Sequence, residues 1–414
     1  MQIKSFIIPK KVSPEQLFML SVLLVNGGNY LYNLILGRLL GPTQFADAAV
    51  LVTFLLVLSF VAMTFQLATA KFSVLFESNL FTTFIIRVYK NAVLIGILLG
   101  ITIIICAPQL QIVFNTSTSH MFVIFGIGVP FYFLMSVNRG IFQGKKELKS
   151  LSITYQAEML SRLIITLALI FILSDIASST LIALGISISF LFGLIPFRYK
   201  DISFKTKTVI GKTELKSIRS FFLLTAFYEL TQIIINNSDI LLVKHYFEPY
   251  EAGLYASLAL IGRIVYFVAW MFVMLLLPKV VQLKKENKDT SKVLFNYVLY
   301  IIIISLTIIL GCSLFPETII IILFGESYIS MAGLLWKYAL ATSMFAISNI
   351  FAYYYLSLDR YVPVIISGVF GMLQMALVIF FHDSLKQVVY MQIIAMVLLL
   401  CIQLIFYKFD YKNR

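Results

Sequence analysis

The feature that most constrains this chain is the recurrence of apolar runs near 20 residues. AAVLVTFLLVLSFVAMTF (48–65), NAVLIGILLGITIIICA (91–107) and VLFNYVLYIIIISLTIILGC (293–312) are examples. At about 1.5 Å per residue, such a run matches a hydrocarbon core of roughly 30 Å. A chain made of them becomes a bundle of membrane-spanning helices. Hydrophobic residues make up 60% of the 414 and charged residues 12%, about half the roughly 25% usual in soluble domains. The expected fold class is an all-α polytopic membrane protein.

Twelve spans are expected, near 15–40, 46–67, 88–107, 119–142, 151–173, 178–197, 217–246, 251–277, 293–315, 331–356, 361–381 and 386–407. The first run is too long and too polar inside to be the core of a cleavable signal peptide, and no small-residue cleavage site follows it. Cys106, Cys312 and Cys401 lie inside or at the ends of spans and form no CxxC pair. No metal set and no cofactor is expected from them.

The net charge of +13 is unevenly placed. Lys4, Lys10 and Lys11 precede the first span. Lys71, Arg87 and Lys90 fall in the second loop, and Arg139, Lys145, Lys146 and Lys149 in the fourth. The sixth loop runs from Arg198 to Arg219, and Lys408, Lys412 and Arg414 end the chain. The intervening loops carry only Lys244 and Lys386. By the positive-inside rule both termini are cytoplasmic, which requires an even number of spans. The expected location is the inner (cytoplasmic) membrane, with the basic surface against anionic lipid and no nucleic-acid partner.

GRLLGPTQFA (37–46) and HYFEPYEAG (245–253) each close one apolar segment, break at proline and restart. Pro42 falls on Pro249 at an offset of 207, half of 414. At that offset Asn29 meets Asn236, Arg38 meets His245, and Ala46 meets Gly253. VFN (113–115) echoes LFG (323–325), and QGKK (143–146) echoes SLDR (357–360). These echoes predict two parallel six-helix halves, 1–200 and 217–414, joined by a basic linker at 201–216, with a substrate path between them.

NYLYNLILGRLLGPTQFADAAVL (29–51), PYEAGLYASLALIGRI (249–264) and LFGESY (323–328) resemble segments of the polysaccharide transporter, or oligosaccharide flippase, family. That family is grouped with the MATE exporters and lipid II flippases in the MOP superfamily. The resemblance implies a MATE-like fold around a central cavity. It also implies flipping of an undecaprenyl-diphosphate-linked oligosaccharide to the outer leaflet for surface polysaccharide biosynthesis. The partners implied are that substrate, membrane lipids, and glycosyltransferases or a polymerase of the same pathway.

Polar residues inside the spans are the candidate cavity groups. Asn26, Asn29 and Asn33 in span one follow i, i+3, i+7. Glu229, Gln232, Asn236 and Asp239 in span seven follow i, i+3, i+7, i+10. Each set occupies one helix face, and the two helices are repeat equivalents, which favours a shared watery cavity over interhelical hydrogen bonding alone. Glu158 and Arg162 form an i, i+4 pair, either neutralising or substrate-binding. Arg38 lies near a span end, where snorkelling is the alternative to substrate contact. Arg263 sits about 16 Å below the span end and Glu229 about 21 Å. Glu229 is therefore its expected partner in preference to the shallower Asp239. Lys337 has no obvious partner. Cations would pair a lipid diphosphate while amides replace sugar–water hydrogen bonds. Glu229 or Asp239 would either carry a coupling H⁺ or Na⁺ or only balance a cation.

Three other functions fit the chain less well. IGKT (210–213) ends like a phosphate loop, but Thr206 holds the position of its first glycine, which counts against an ATP-driven pump. A polysaccharide polymerase or ligase needs a sizeable outer loop with catalytic groups. The outer loops here are short, and His120, His245 and His382 form no cluster, so no enzyme is expected. A MATE-like multidrug or cation antiporter would favour an acidic cavity, whereas the internal cations here at least match the acids.

Overall fold

In a computed structural model, which describes residues 13–198, 210–358 and 360–412, the apolar runs are α-helices and the described residues contain no strand. The first half comprises α1 (Pro14–Leu75), α2 (Ser78–Ile105), α3 (Ala107–Val113), α4 (His120–Gly144), α5 (Leu148–Ile172) and α6 (Ser178–Gly193). The second comprises α7 (Lys212–Tyr246), α8 (Pro249–Gly262), α9 (Ile264–Lys285), α10 (Ser291–Leu314), α11 (Pro316–Leu323), α12 (Ala332–Ser357), α13 (Val362–Phe380) and α14 (Leu385–Lys412). A 3₁₀ turn, Glu326–Met331, precedes α12.

Among the described residues, ten helices are long and apolar enough to cross a membrane. The difference from twelve has two causes. The first two expected spans form the continuous 62-residue α1, whose path breaks at Gly41 (φ 70°, ψ 173°) and restarts at Pro42. Glycine accepts this positive φ, and proline suits a first helical position because it lacks an N–H. The sixth expected span is α6, only 16 residues long.

Other boundaries shift as well. The loop expected between spans two and three is helix nearly throughout, since α1 runs to Leu75 and α2 starts at Ser78. A helix satisfies its own backbone past the apolar stretch, so hydropathy underestimates its length. The basic linker expected at 201–216 lies outside the described residues up to 209, and from Lys212 it is already α7.

The repeat echoes fall at equivalent structural points. VFN spans the end of α3 and LFG the end of α11, and their third residues, Asn115 (φ 42°) and Gly325 (φ 95°), share the left-handed region. Pro42 opens the second limb of α1, and Pro249 opens α8.

Lipid tails are as apolar as leucine, so helices in a membrane associate through close packing and polar contacts. Gly96 and Gly100 of α2 face Gly126 and Pro130 of α4, and a Cβ on Gly100 would strike the Gly126 carbonyl. The opposite side of α2 exposes Leu94, Leu98, Ile101 and Ile105, a lipid-facing stripe. The two halves meet where Gly253 of α8 lies against the Pro42 carbonyl. A continuous buried cluster including Phe45, Phe122, Tyr255 and Phe324 surrounds that junction. Replacing Gly100 by Leu is expected to destabilise the fold by about 1–3 kcal/mol through overpacking. A lowered thermal midpoint in detergent checks this, with Gly333→Ala, where nothing lies within 4 Å, as the unaffected control.

Candidate functional site

A cavity of about 230 Å³ lies between the halves. Asn26, Asn29 and Asn33 of α1 line it together with Arg162 of α5 and Arg263, which joins α8 to α9. The asparagine stripe and one arginine from each half are thus brought together. Asn33 donates to the Asn29 carbonyl at 2.9 Å, and Arg162 Nη1 reaches Asn29 Oδ1 at 3.4 Å.

In the first half, Glu158 serves two arginines. Arg162 pairs with one carboxylate oxygen, and Arg139 reaches the other at 2.7 Å. Arg139 also donates to the Thr154 carbonyl (2.8 Å) and hydroxyl (3.2 Å), and lies 4.1 Å over the Tyr155 ring. Arg139 is not a loop cation, as its sequence position suggests. The helix α4 continues to Gly144, which leaves Arg139 buried at 5% exposure more than a turn inside it. Two guanidinium groups on one carboxylate leave an excess positive charge, and Arg162 presents it to the cavity. The Nε of Arg162 is buried with no partner among the described residues.

In the second half the charge is balanced. Arg263 pairs with Asp239 at 2.9 Å and donates to Asn237 Oδ1 at 3.3 Å. Its partner is therefore Asp239, not Glu229. Counting depth along the axis ignores side-chain direction. Helical side chains lean toward the N-terminus, and α7 and α8 are antiparallel neighbours, so Asp239 and Arg263 lean toward each other. Asp239 also accepts from Tyr255 (3.0 Å), Tyr338 (2.8 Å) and Gln392 (2.9 Å). Arg263 interrupts the eighth span, and the Thr342 hydroxyl satisfies the Gly262 carbonyl at 2.8 Å, as a helix break in a membrane requires.

Asn236, Asp239 and Arg263 line a smaller polar cavity of about 30 Å³ with Gln374. Glu229 is partly exposed, and among the described residues it forms no ion pair or hydrogen bond. Gln232 is buried on the same α7 face. Lys337 lines neither cavity, and it does have a partner, the Tyr390 hydroxyl of α14 at 3.0 Å.

The end of the bundle that carries Pro42 and Pro249 is closed by contacts between halves. Lys244 pairs with Asp47 at 3.0 Å, at 1% and 4% exposure, and donates to the Asn115 carbonyl at 3.0 Å. Lys244 is thus a buried residue of α7 and not a loop cation. Ser117 donates to Asp47 through its N–H (2.9 Å) and hydroxyl (2.7 Å). Arg38 is exposed, and donates to the Ile322 carbonyl near the C-terminus of α11 at 2.6 Å. Its repeat equivalent, His245, donates to the Val113 carbonyl at the C-terminus of α3 at 2.6 Å. The two contacts are reciprocal, each half capping the short helix of the other, where helix-end carbonyls lack intrahelical partners. Asp47 and Arg139 escaped sequence reading because each acts through a partner on another helix.

The arrangement is a two-lobed helical bundle with a polar interfacial cavity, and solved transporters share its fold. An inward-facing MATE family multidrug resistance transporter of the MOP superfamily aligns over 93% of this chain and 95% of its own, with TM-score 0.76 and 12% identity. The lipid II flippase MurJ in an inward closed conformation aligns over 95% and 87%, with TM-score 0.75 and 15% identity. An outward-facing MATE transporter aligns over 97% of each chain with TM-score 0.60 and 14% identity. The protein is a multi-pass membrane protein with a MATE-like transporter fold.

Residues 17–284 match the family model described as "Polysaccharide biosynthesis protein", and the chain belongs to that family. That match covers residues 29–51 and 249–264, two of the segments that resemble the polysaccharide transporter family. The uncharacterized membrane protein MJ1375 of Methanocaldococcus jannaschii is 25% identical over 233 residues, 54% of this chain and 53% of that protein, so the match spans about half its length.

Removing Glu158 would leave Arg139 and Arg162 without a carboxylate. Glu158→Ala is expected to cost about 3–5 kcal/mol, as breaking a buried pair from one side does. Thermal denaturation of the purified variant, with its yield of monodisperse protein, checks this.

Proposed function

We propose that this protein flips a polyprenyl-diphosphate-linked oligosaccharide from the inner to the outer leaflet of the cytoplasmic membrane, for surface polysaccharide biosynthesis. The observation that carries the reading is the uncompensated charge of the Arg139–Glu158–Arg162 cluster beside an asparagine-lined cavity between the halves. A diphosphate is attracted by that charge and can be held by charge-assisted hydrogen bonds to Arg162. The amides of Asn26, Asn29 and Asn33 exchange hydrogen bonds with sugar hydroxyls that would otherwise be lost with water. The polyprenyl tail stays in lipid beside the open cleft.

The halves, 1–200 and 217–414, rock about the cavity, which must widen to accept an oligosaccharide. The positive-inside rule puts the basic end and both termini in the cytoplasm. The Asp47–Lys244 end is then outer, and the state described is closed to the outside. The higher likeness to the inward-facing than to the outward-facing MATE transporter supports this orientation of the cleft. Of the two carboxylates that would carry a coupling H⁺ or Na⁺, Asp239 is engaged by Arg263 and three neutral donors, which leaves Glu229. Glycosyltransferases would supply the cargo, and a polymerase would receive it.

Deleting the gene and locating the lipid-linked sugar tests the reading, which expects accumulation on the cytoplasmic leaflet. A change in drug sensitivity alone would favour an exporter. Units that reach the outer leaflet but stay unpolymerised would favour a polymerase. In the intact protein, Arg162→Gln is expected to lower transport at least tenfold (about 1.4 kcal/mol) at unchanged expression. Linking Asp47→Cys to Lys244→Cys with a short, reducible bis-thiol cross-linker is expected to stop transport until the link is reduced, as measured by flipping in proteoliposomes. Full transport with that cross-link formed would exclude opening at this end.

A further inference from the structure

We propose that the α7 face carrying Glu229, Gln232 and Asn236, with Tyr266 and Gln374, binds a pyranose ring of the cargo apart from the Arg162 anion site, and that it favours neutral or amino sugars over uronates. This rests on the flippase reading and assigns the two ends of the cargo to different halves.

Asn236 and Gln374 line the smaller polar cavity, which shares Arg263 with the central one. Ile240 lines the central cavity, and Asn236, Gln232 and Glu229 follow at four, eight and eleven residues back along α7. This spacing holds one helix side. Gln232 is 8% exposed, and among the described residues neither its side-chain nitrogen nor its oxygen finds a partner. Gln374 is 3% exposed; its oxygen is also unpartnered, and its nitrogen makes only a long 3.4 Å contact with the Ile235 carbonyl. Buried polar groups in folded proteins are nearly always paired, and an unpaired group carries a desolvation cost. Two buried amides with open valences on adjoining helices therefore suit a ligand that donates and accepts at once. Hydroxyl groups on a sugar ring do both.

The neighbours fit the same ligand. The Tyr266 hydroxyl lies beside Asn236 and within electrostatic range of Glu229. Its ring is backed by Phe345, stacked at 5.3 Å between centroids, which gives the strip an aromatic edge. An ionised Glu229 accepts but cannot donate, and its two oxygens suit two adjacent hydroxyls. The same charge repels a carboxylate on the ring and attracts an ammonium. The Arg162 side of the cleft has the opposite sign, so an amphiphile with a diphosphate at one end and sugars at the other lies across it in one direction. A cargo that touches both halves also links its own binding to their rocking.

Binding of a lipid panel to purified protein in nanodiscs tests the assignment. The panel is undecaprenyl diphosphate without sugar and the same lipid carrying glucose, galactose, N-acetylglucosamine, glucosamine or glucuronic acid. The wild type is expected to bind at least one neutral or amino-sugar lipid about tenfold tighter than the sugar-free lipid, a gain of the size one or two net hydrogen bonds supply. It is expected to disfavour the glucuronate lipid. Gln232→Leu and Tyr266→Leu should erase the gain, and Glu229→Gln should shrink the glucose-over-glucuronate preference. Gln232→Leu and Tyr266→Leu should keep the affinity for sugar-free lipid, which also reports an intact fold.

The proposal is overturned if no sugar improves binding, or if the gain survives all three variants. Arg162→Gln separates it from the reading beneath it, because that variant should weaken every lipid equally. If the sugar-free lipid fails to bind wild type, or binds Arg162→Gln as well as wild type, the anion site is wrong, and the sugar site falls with it.

Discussion

A guanidinium or ammonium group inside a membrane bundle needs a carboxylate, a carbonyl or water, because hydrocarbon offers none. The interior of this protein is organised by that demand. Glu158 holds Arg139 and Arg162 and thereby joins α4 to α5. Asp239 holds Arg263 and gathers hydroxyl and amide donors from α8, α12 and α14. Asp47 holds Lys244 and joins the two halves. Apolar packing is poorly discriminating among helices whose lipid alternative is equally apolar, so these charged nodes decide which faces meet.

The nodes differ in what they leave over. Asp239 is saturated by its donors, and its cation is balanced. Glu158 is outnumbered by its arginines, so the balance tips positive only on the first half's side of the cavity. Glu229 stands without a cation on the other side. The two sides of the cavity therefore differ in charge, which gives the cleft a direction. Where symmetry persists, it is mechanical. Arg38 and His245 each reach across to the end of the other half's short helix.

Much of the architecture was legible in local pattern. Hydropathy marked the spans, and the glycine–proline break at 41–42 with its counterpart at Pro249 marked the repeat. The 3.6-residue period put Asn26, Asn29 and Asn33 on one face, and that face lines the cavity. Arg263 and Asn236 were likewise legible as groups facing polar space. Charge partners were less so. Depth counting chose Glu229 for Arg263 because it treated residues as points on an axis, although a long side chain leaning toward its own N-terminus covers several ångströms. Arg139 reads as a loop residue because a cation near a span end looks solvated until the carboxylate of another helix lies beside it.

The amino-acid sequence by itself determined a polytopic helical bundle, its doubling and the helix faces that are polar, because hydropathy and helical period are properties of neighbouring residues along the chain. Only the tertiary structure decided that Asp47 meets Lys244, that Asp239 takes Arg263, and that two arginines share Glu158 while Glu229 forms no ion pair among the described residues. Those outcomes depend on which helices touch and how their side chains lean, and residues on different helices, from 19 (Arg139–Glu158) to 197 (Asp47–Lys244) positions apart, carry no local signal of their meeting.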